Sequence, residues 1–198
     1  MKGLAKYLAI ATTALALTTL ARADNRQVND TMGASQLVAA QTELQHELDA
    51  KTAQQGDTVT AKLTESVHIA DGTKLSRNTQ LIGHIDEVEH SQNKGESTVV
   101  LTFDQARLAN GQQIAIKSTI VNVSPEGSPG VLGLSLTPEL QITQAPTSRH
   151  GYGLTSSVAD SNSGTLSANG KDVHLKTGTE LQFAVAPAAG ATSALRGN

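Results

Sequence analysis

The sequence predicts an all-β fold, either a small β-barrel or a β-sandwich, and three observations point to it. Apolar and polar residues alternate in several short segments, which is the period of a half-buried strand. Residues 98–103 are rich in β-branched side chains, which favour strands. The dipeptide Asn110-Gly111 lies between two apolar runs and is the strongest hairpin signal in the chain. Together these features predict about six to eight strands between residues 42 and 123.

The chain opens with the features of a cleavable signal peptide. Lys2 and Lys6 precede an apolar run over residues 7–20, and Ala21 and Ala23 occupy the two small-residue positions of a cleavage site. We therefore expect a signal peptide over the first 23 residues, cleavage after Ala23, and a periplasmic or extracellular domain. A membrane anchor is disfavoured because the run is shorter than the roughly 20 residues needed to cross a bilayer. The sequence has no cysteine to carry a lipid anchor.

Composition argues against several classes of function. The expected cleavage removes three of the 15 basic residues and none of the 18 acidic ones, which leaves a net charge of about −6. This charge disfavours binding to nucleic acid or to anionic membranes. After cleavage the aromatic residues are Phe103, Tyr152 and Phe183, too few for a surface that stacks against sugars or bases. The expected mature length is that of one ordinary domain.

The elements follow in order along the chain. Residues 24–41 are polar and small and predict a flexible lead, and residues 42–123 are expected to form the core of the β-domain. Gly83 lies inside one of the predicted strands, where glycine is typical of a bulge or a barrel corner. The predicted strands cover residues 43–48, 57–63, 67–69, 80–88, 98–103 and 114–123.

The second half of the chain is less regular. Small and polar residues dominate 124–170, and such a composition buries too little apolar surface to offset the entropy lost on ordering. We therefore expect a long, low-order Ser/Gly-rich loop or linker there. Alternation returns near residue 173, so residues 171–186 are expected to supply a returning strand of the β-domain. Residues 187–198 are expected to form a loose tail.

One internal similarity relates two parts of the chain. Residues 75–85 and 175–185 share a pattern of apolar, polar and turn-forming positions at an offset of 100. Asn78 corresponds to Gly178, and both residue types tolerate the left-handed region that a tight turn requires. The match predicts that the last strand completes the sheet that the first copy helps to build. A chance match between two short turn-and-strand patterns is the alternative.

The region 42–123 carries a second set of recognisable features: Gly56-Asp57 before a strand, a turn and strand through Thr79 and Gly83, and the Asn110-Gly111 turn. In this order they resemble the exported, uncharacterised β-domains of acidobacteria. They are more distantly similar to the β-barrel domain of the VirB10/TrbI proteins of type IV secretion systems. Those families carry Pro-x-Gly-Ser/Thr at the turn, where this chain has Ser76 and Asn78.

The resemblance implies a small β-barrel or sandwich without catalysis. VirB10-like proteins also carry an inner-membrane helix, a proline-rich spacer and an outer-membrane antenna, and none of these is recognisable in the sequence. We therefore expect an envelope β-module rather than a secretion channel.

The tightest group of candidate metal ligands is His84, Asp86 and His90. Positions 84 and 86 share one face of a strand, and position 90 lies at its end. The alternative, which the sequence favours, is a solvated polar face opposite Ile85 and Val88. We therefore expect no metal site and no cofactor.

Catalytic motifs are equally scarce. Asp86, Glu87 and Glu89 are acidic neighbours, but a glycosidase needs carboxylates facing each other across a cleft, for which the aromatic lining is lacking here. Ser135 and Ser163 lie near glycines but lack the Gly-x-Ser-x-Gly elbow of a serine nucleophile. No phosphate-binding loop or dinucleotide fingerprint occurs in the sequence. We therefore expect no catalytic residue.

These observations favour a non-enzymatic structural or interaction module of the bacterial envelope. Few charges guard residues 98–103, so we expect that strand to offer an open edge to a strand of an envelope partner. One alternative is a small cell-wall-directed hydrolase with residues 147–170 as its active-site loop. Another is a glycan-binding module, which the scarcity of aromatic residues disfavours.

Overall fold

A computed structural model describes residues 37–124, 136–137, 139–144 and 151–188. The predicted signal peptide and the predicted tail beyond residue 188 lie outside these residues. The described chain contains thirteen strands and no helix, which confirms the all-β prediction, and it therefore offers no helix that could cross a membrane. The strands are Val38–Leu44 (β1), Leu48–Asp49 (β2), Thr58–Leu63 (β3), Val67–His68 (β4), Lys74–Leu75 (β5), Gln80–Glu89 (β6), Glu96–Arg107 (β7), Gln113–Ser124 (β8), Gln141–Gln144 (β9), Gly153–Ser157 (β10), Gly164–Asn169 (β11), His174–Leu175 (β12) and Glu180–Pro187 (β13).

Six of these strands close into an antiparallel barrel. Their order is β6, β3, β1, β13, β8 and β7, and the pairing of β6 with β7 closes the ring. The predicted choice between barrel and sandwich is thus resolved in favour of a barrel. The hairpin predicted at Asn110-Gly111 joins β7 to β8, and Gly111 adopts φ +83° in its turn. Closure leaves no free edge within the ring.

The two halves of the barrel are related by an internal two-fold arrangement. In one half, the turn before β6 holds the end of β3, because the Asn78 amide donates to the Leu63 carbonyl at 2.9 Å. In the other half, the turn before β13 holds the end of β1 through a bond of 2.8 Å from the Gly178 amide to the Leu44 carbonyl. Asn78 and Gly178 have φ of 71° and 82°. The similarity at an offset of 100 is therefore confirmed as a structural equivalence.

The equivalence extends to a bulge in each half. The β6–β7 register shifts between Ile82 and Gly83, and the β13–β8 register shifts between Gln182 and Phe183. The bulge predicted at Gly83 is confirmed. A Cβ there would lie 2.3 Å from the Thr102 carbonyl oxygen and 2.8 Å from the Phe103 ring. Glycine is needed because the backbone and the ring occupy that space.

The barrel interior is packed around two aromatic rings. Phe103 and Phe183 are buried, and their rings meet edge to face with centroids 5.0 Å apart. This geometry adds attraction beyond the burial of area. Both rings are therefore core residues and are not available on the surface.

A short ribbon of two paired strands, each two residues long, flanks each half of the barrel. The first corner, formed by β2 and β12, pairs Leu48 with Leu175. The second corner, formed by β4 and β5, pairs Val67 with Leu75. All four apolar side chains are buried. Because side chains alternate along a strand, the other residue of each two-residue strand faces outward. The two corners share a scaffold and differ in what they present to solvent.

The prediction of a low-order loop over residues 124–170 is wrong for the described part of that stretch. Strands β11, β10 and β9 extend the sheet outward from β7. Several of the small polar residues are buried, and their hydroxyls bond to the backbone inside the structure. The buried Ser156 Oγ donates to the Ile120 carbonyl at 2.5 Å, and the buried Ser163 Oγ accepts from the Phe103 amide at 2.8 Å.

Two further predictions need correction. Residues 38–41, assigned to the flexible lead, belong to β1, where Ala40 is fully buried opposite Phe183 of β13. Residues 98–103 do not form an open edge, because β7 pairs with β6 on one side and with β11 on the other. The returning strand predicted over 171–186 is present as β12 and β13.

Candidate functional site

The structure brings together only part of the predicted His84, Asp86 and His90 group. His84 Nε2 lies 3.0 Å from Asp86 Oδ1, and Asp86 Oδ2 accepts a hydrogen bond of 2.6 Å from Thr102 Oγ1. Asp86 sits at an irregularity in the β6–β7 register. His90 follows the end of β6 and lines a separate open cleft with Glu89. These three residues therefore do not form a three-ligand group.

A different group of ligands converges at the first corner. Single donor atoms of Glu47, Asp49 and His174 all lie within 4.8 Å of one another, and no other such group of three occurs in the part of the chain that the structure describes. The β2–β12 register places His174 directly opposite Asp49. Glu47 lies two residues before Asp49 and so shares its outward face.

The three side chains are partly exposed and face one histidine nitrogen. His174 Nδ1 lies 3.3 Å from Asp49 Oδ2 and 3.8 Å from Glu47 Oε1. The side chains of Asp49, His174 and Glu47 are 25%, 39% and 56% exposed. The site is thus a rim that solutes reach directly, with Asp49 the most enclosed member.

Local hydrogen bonds fix the Asp49 carboxylate. Its Oδ1 accepts a bond of 2.9 Å from the Lys51 amide, which leaves Oδ2 directed at His174. The bond from Lys51 lowers the pKa of Asp49 below its ordinary value, the contacts with His174 lower it further, and partial burial opposes them. Asp49 is therefore ionised at neutral pH.

The His174 backbone is also held in place. Its carbonyl accepts a hydrogen bond from the Tyr152 hydroxyl, and the Lys171 ammonium lies 5.1 Å from the centre of the Tyr152 ring. The preceding residue, Val173, accepts a bond of 2.9 Å from the Ala50 amide. The imidazole therefore projects from a fixed ribbon rather than from a loose loop.

A cleft of about 270 Å³ adjoins the two carboxylates. Glu47 and Asp49 line it together with His46 and Asp57, and buried apolar residues such as Ile85 form part of its wall. His46 and Asp57 are exposed. The cleft thus offers two further side chains with donor atoms beside the converging group.

Sequence reasoning missed this group because the histidine stands far from the carboxylates in the chain. Glu47 and Asp49 have the spacing of one strand face, but nothing local predicts a partner at His174. The usable signal was the internal similarity. If Leu175 occupies the place of Leu75, then His174 belongs to a ribbon beside the barrel. The search for residues that contact His174 is then narrowed to that ribbon.

The second candidate surface is the outer edge of β9. The Val158 amide bonds to the Leu140 carbonyl at 3.1 Å, so the alternation of an antiparallel ladder turns the backbone groups of Ile142 toward β10. The backbone groups of Gln141 and Thr143 therefore point away from the sheet. Among the described residues, nothing pairs with this outer side.

No protein-family profile and no curated protein matches this chain. The two surfaces therefore have to be interpreted from their geometry and chemistry. The first corner offers one imidazole and two carboxylates beside a cleft, and the β9 edge offers backbone donors and acceptors that no described residue pairs with.

Proposed function

We propose that this chain is an exported, non-enzymatic interaction module of the bacterial envelope that binds an extended segment of a partner protein along the outer edge of β9. The observation that carries the proposal is the outward direction of the Gln141 and Thr143 backbone groups. A partner strand that pairs with these groups extends the sheet by one strand, a common mode of peptide recognition.

The character of the edge supports this use. Natural proteins protect exposed edges with charges, prolines or bulges. The strand β9 reads Gln-Ile-Thr-Gln and carries none of these, and three of its four residues are exposed. The closed barrel gives a rigid base, since β9 joins it through β10 and β11.

Export is part of the proposal, supported by the amino-terminal pattern of Lys2, Lys6 and the apolar run that ends before Ala23. After expression of the full chain in a bacterial host, the envelope or medium fraction should contain a protein whose mass corresponds to a start at Asp24. Replacement of the small residue at the cleavage position, Ala23→Tyr, should leave the signal attached. Retention of the unprocessed wild-type chain in the cytoplasm would contradict export.

The edge interaction is tested best at Thr143. Proline at this position removes an outward amide but leaves the inward bonds of Ile142 to β10 intact, and edge strands tolerate proline. The control Thr143→Val keeps the amide. A photocrosslinking residue replaces Gln141 in the wild-type, Thr143→Pro and Thr143→Val backgrounds, with the same residue at Lys74 of β5 as a site control.

We expect one defined adduct from position 141 in the wild type and in Thr143→Val, and its loss in Thr143→Pro. The Lys74 control should not give this adduct. Equal adduct in Thr143→Pro, or none in any background, would overturn the proposal. Unchanged thermal unfolding midpoints would show that the variants keep the fold.

The alternative functions receive less support from the geometry. In the stretch considered as a hydrolase loop, residues 153–169 form β10, β11 and their connecting turn, and they line neither the cleft beside Glu47 nor the one beside His90. For glycan binding, Phe103 and Phe183 are buried in the barrel. A partner strand along β9 is therefore the function that we favour.

A further inference from the structure

We infer that the first corner binds a divalent transition-metal ion, Zn²⁺ in particular, through His174, Asp49 and Glu47. The inference does not depend on the proposed edge interaction. One imidazole nitrogen and two carboxylate oxygens form a donor set that suits zinc, and three protein ligands leave a position open for water or a solute.

The distances fit a shared ion better than a tight ion pair. Ligand atoms roughly 2.1 Å from a tetrahedral zinc lie about 3.4 Å from one another. His174 Nδ1 is 3.3 Å from Asp49 Oδ2 and 3.8 Å from Glu47 Oε1. A charge-assisted N–H···O bond is shorter, about 2.8 Å. Both distances from His174 Nδ1 thus lie within a few tenths of an ångström of those in a tetrahedral zinc site, and the ligand atoms of Glu47 and Asp49 lie within 4.8 Å of each other.

The second corner provides an internal comparison. Ser66, His68 and Lys74 occupy the positions that Glu47, Asp49 and His174 occupy in the first. That corner keeps the same ribbon pairing although it presents a hydroxyl, an imidazole and an ammonium group. The three ligands are therefore not required by the scaffold, and Lys74 would repel a cation where His174 would bind it.

Supports behind the ligands prepare the site. The Lys51 amide holds one oxygen of Asp49, which leaves the other for the ion, and the Tyr152 hydroxyl anchors the His174 carbonyl. Such outer contacts orient metal ligands and typically change affinity by about 10–100-fold. The adjoining cleft supplies the open side.

The test is calorimetric titration of Zn²⁺ into the full chain, purified without a polyhistidine tag, together with the visible spectrum of the Co²⁺ form. We expect one equivalent of Zn²⁺ and Co²⁺ bands typical of four or five ligands. His174→Ala should weaken Zn²⁺ binding by more than about tenfold, since even outer contacts have effects of that size. The matched control His68→Ala, at the second corner, should leave binding unchanged.

Glu47→Gln keeps the test decisive if His174→Ala disturbs the fold, because the Glu47 side chain is the most exposed of the three. It should weaken binding and alter the Co²⁺ spectrum while the unfolding midpoint without metal stays unchanged. Absence of saturable binding would overturn the inference. Equal losses in His174→Ala and His68→Ala would also overturn it, because they would indicate adsorption to surface histidines.

Discussion

The two halves of the barrel share their turns, their bulges and their flanking ribbons, yet they place different side chains at two kinds of position. Inside the barrel, Gly83 of one half corresponds to Phe183 of the other. On the surface, the first corner presents two carboxylates and an imidazole, whereas the second presents a hydroxyl, an imidazole and an ammonium group. The features common to both halves are those that the fold requires, and the differences show where side chains are free to serve packing or chemistry.

The interior difference follows from the space around one ring. Phe183 fills its own half of the barrel, while Gly83 leaves room for Phe103, and the two rings meet between the halves. A second large residue at position 83 would compete with Phe103 for the same volume. The pair Gly83 and Phe183 is thus a complementary choice at equivalent places.

The largest expected effect comes from Gly83→Ala. The new Cβ would meet the Thr102 carbonyl oxygen at 2.3 Å, and backbone cannot move away as a flexible side chain can. We expect the free energy of unfolding to fall by about 3 kcal/mol or more, measured by urea denaturation. The control Gly56→Ala, at φ +89° with open space around it, should cost only about 1 kcal/mol. An equal or smaller loss for Gly83→Ala would contradict the steric explanation.

The next prediction concerns a variant that makes the two corners alike, and it rests on the inferred zinc site. The triple variant Ser66→Glu, His68→Asp and Lys74→His copies the ligands of the first corner onto the second. We expect a second equivalent of Zn²⁺ by calorimetry. At a free Zn²⁺ concentration of about one hundred times the Kd, the added site should stabilise the fold by about 2.7 kcal/mol.

The same triple variant in the His174→Ala background should bind one equivalent, now at the second corner. Binding that stays at one equivalent in the first background and at none in the second would show that the ribbon alone does not position the ligands. The corners would then differ in more than their side chains.

Sequence patterns predict the barrel well because its strands carry local signals. The Asn110-Gly111 turn, the interior Gly83 and the match between 75–85 and 175–185 all depend on properties of single residues, and the structure confirms each. The strands β9 to β11 were missed for a physical reason. Their small residues contribute hydrogen bonds from hydroxyls such as Ser163 Oγ rather than large apolar area, so composition alone resembles that of a loop.

The candidate site was beyond local reasoning for a different reason. The group at 84, 86 and 90 looked promising because its members are close in sequence, but they separate after β6 ends. Glu47, Asp49 and His174 meet only because β12 pairs with β2, a contact between distant segments. The pairing register of so short a ribbon leaves almost no trace in the sequence.

A smaller effect distinguishes the two equivalent turns. Gly178→Ala should destabilise the fold by about 1–2 kcal/mol, because alanine pays the cost of the left-handed region at φ 82°. Asn78→Gly, at φ 71°, should change stability by less than about 0.5 kcal/mol, since both residues tolerate that conformation. Urea denaturation measures both. If Asn78→Gly destabilised the fold as much as Gly178→Ala, the Asn78 side chain would have to make stabilising contacts, and backbone conformation alone would not explain the choice of residue at the two turns.

Strands β9 to β11 extend the sheet outward from β7 and break the two-fold arrangement, and the smallest expected effect lies there. Strand β11 pairs with β7, and Lys117 of β8 donates from its ammonium to the carbonyl of Asp160 in the turn between β10 and β11. Burial lowers the pKa of Lys117, and the charge of Asp160 opposes that shift. Because the folded state gives up this proton at a lower pH than the unfolded state, the unfolded chain holds more protons between the two pKa values.

The free energy of unfolding should therefore rise with pH toward the ordinary lysine pKa of about 10.4, relative to the variant Lys117→Met. Lys117 is partly exposed, so solvent screening should keep the rise to about 0.5 kcal/mol or less. Urea denaturation at about pH 7 and about pH 10 measures it. Asp160→Asn removes the opposing charge and should enlarge the rise. A fall of the free energy of unfolding with pH, relative to Lys117→Met, would show that the folded state favours the charged form of Lys117.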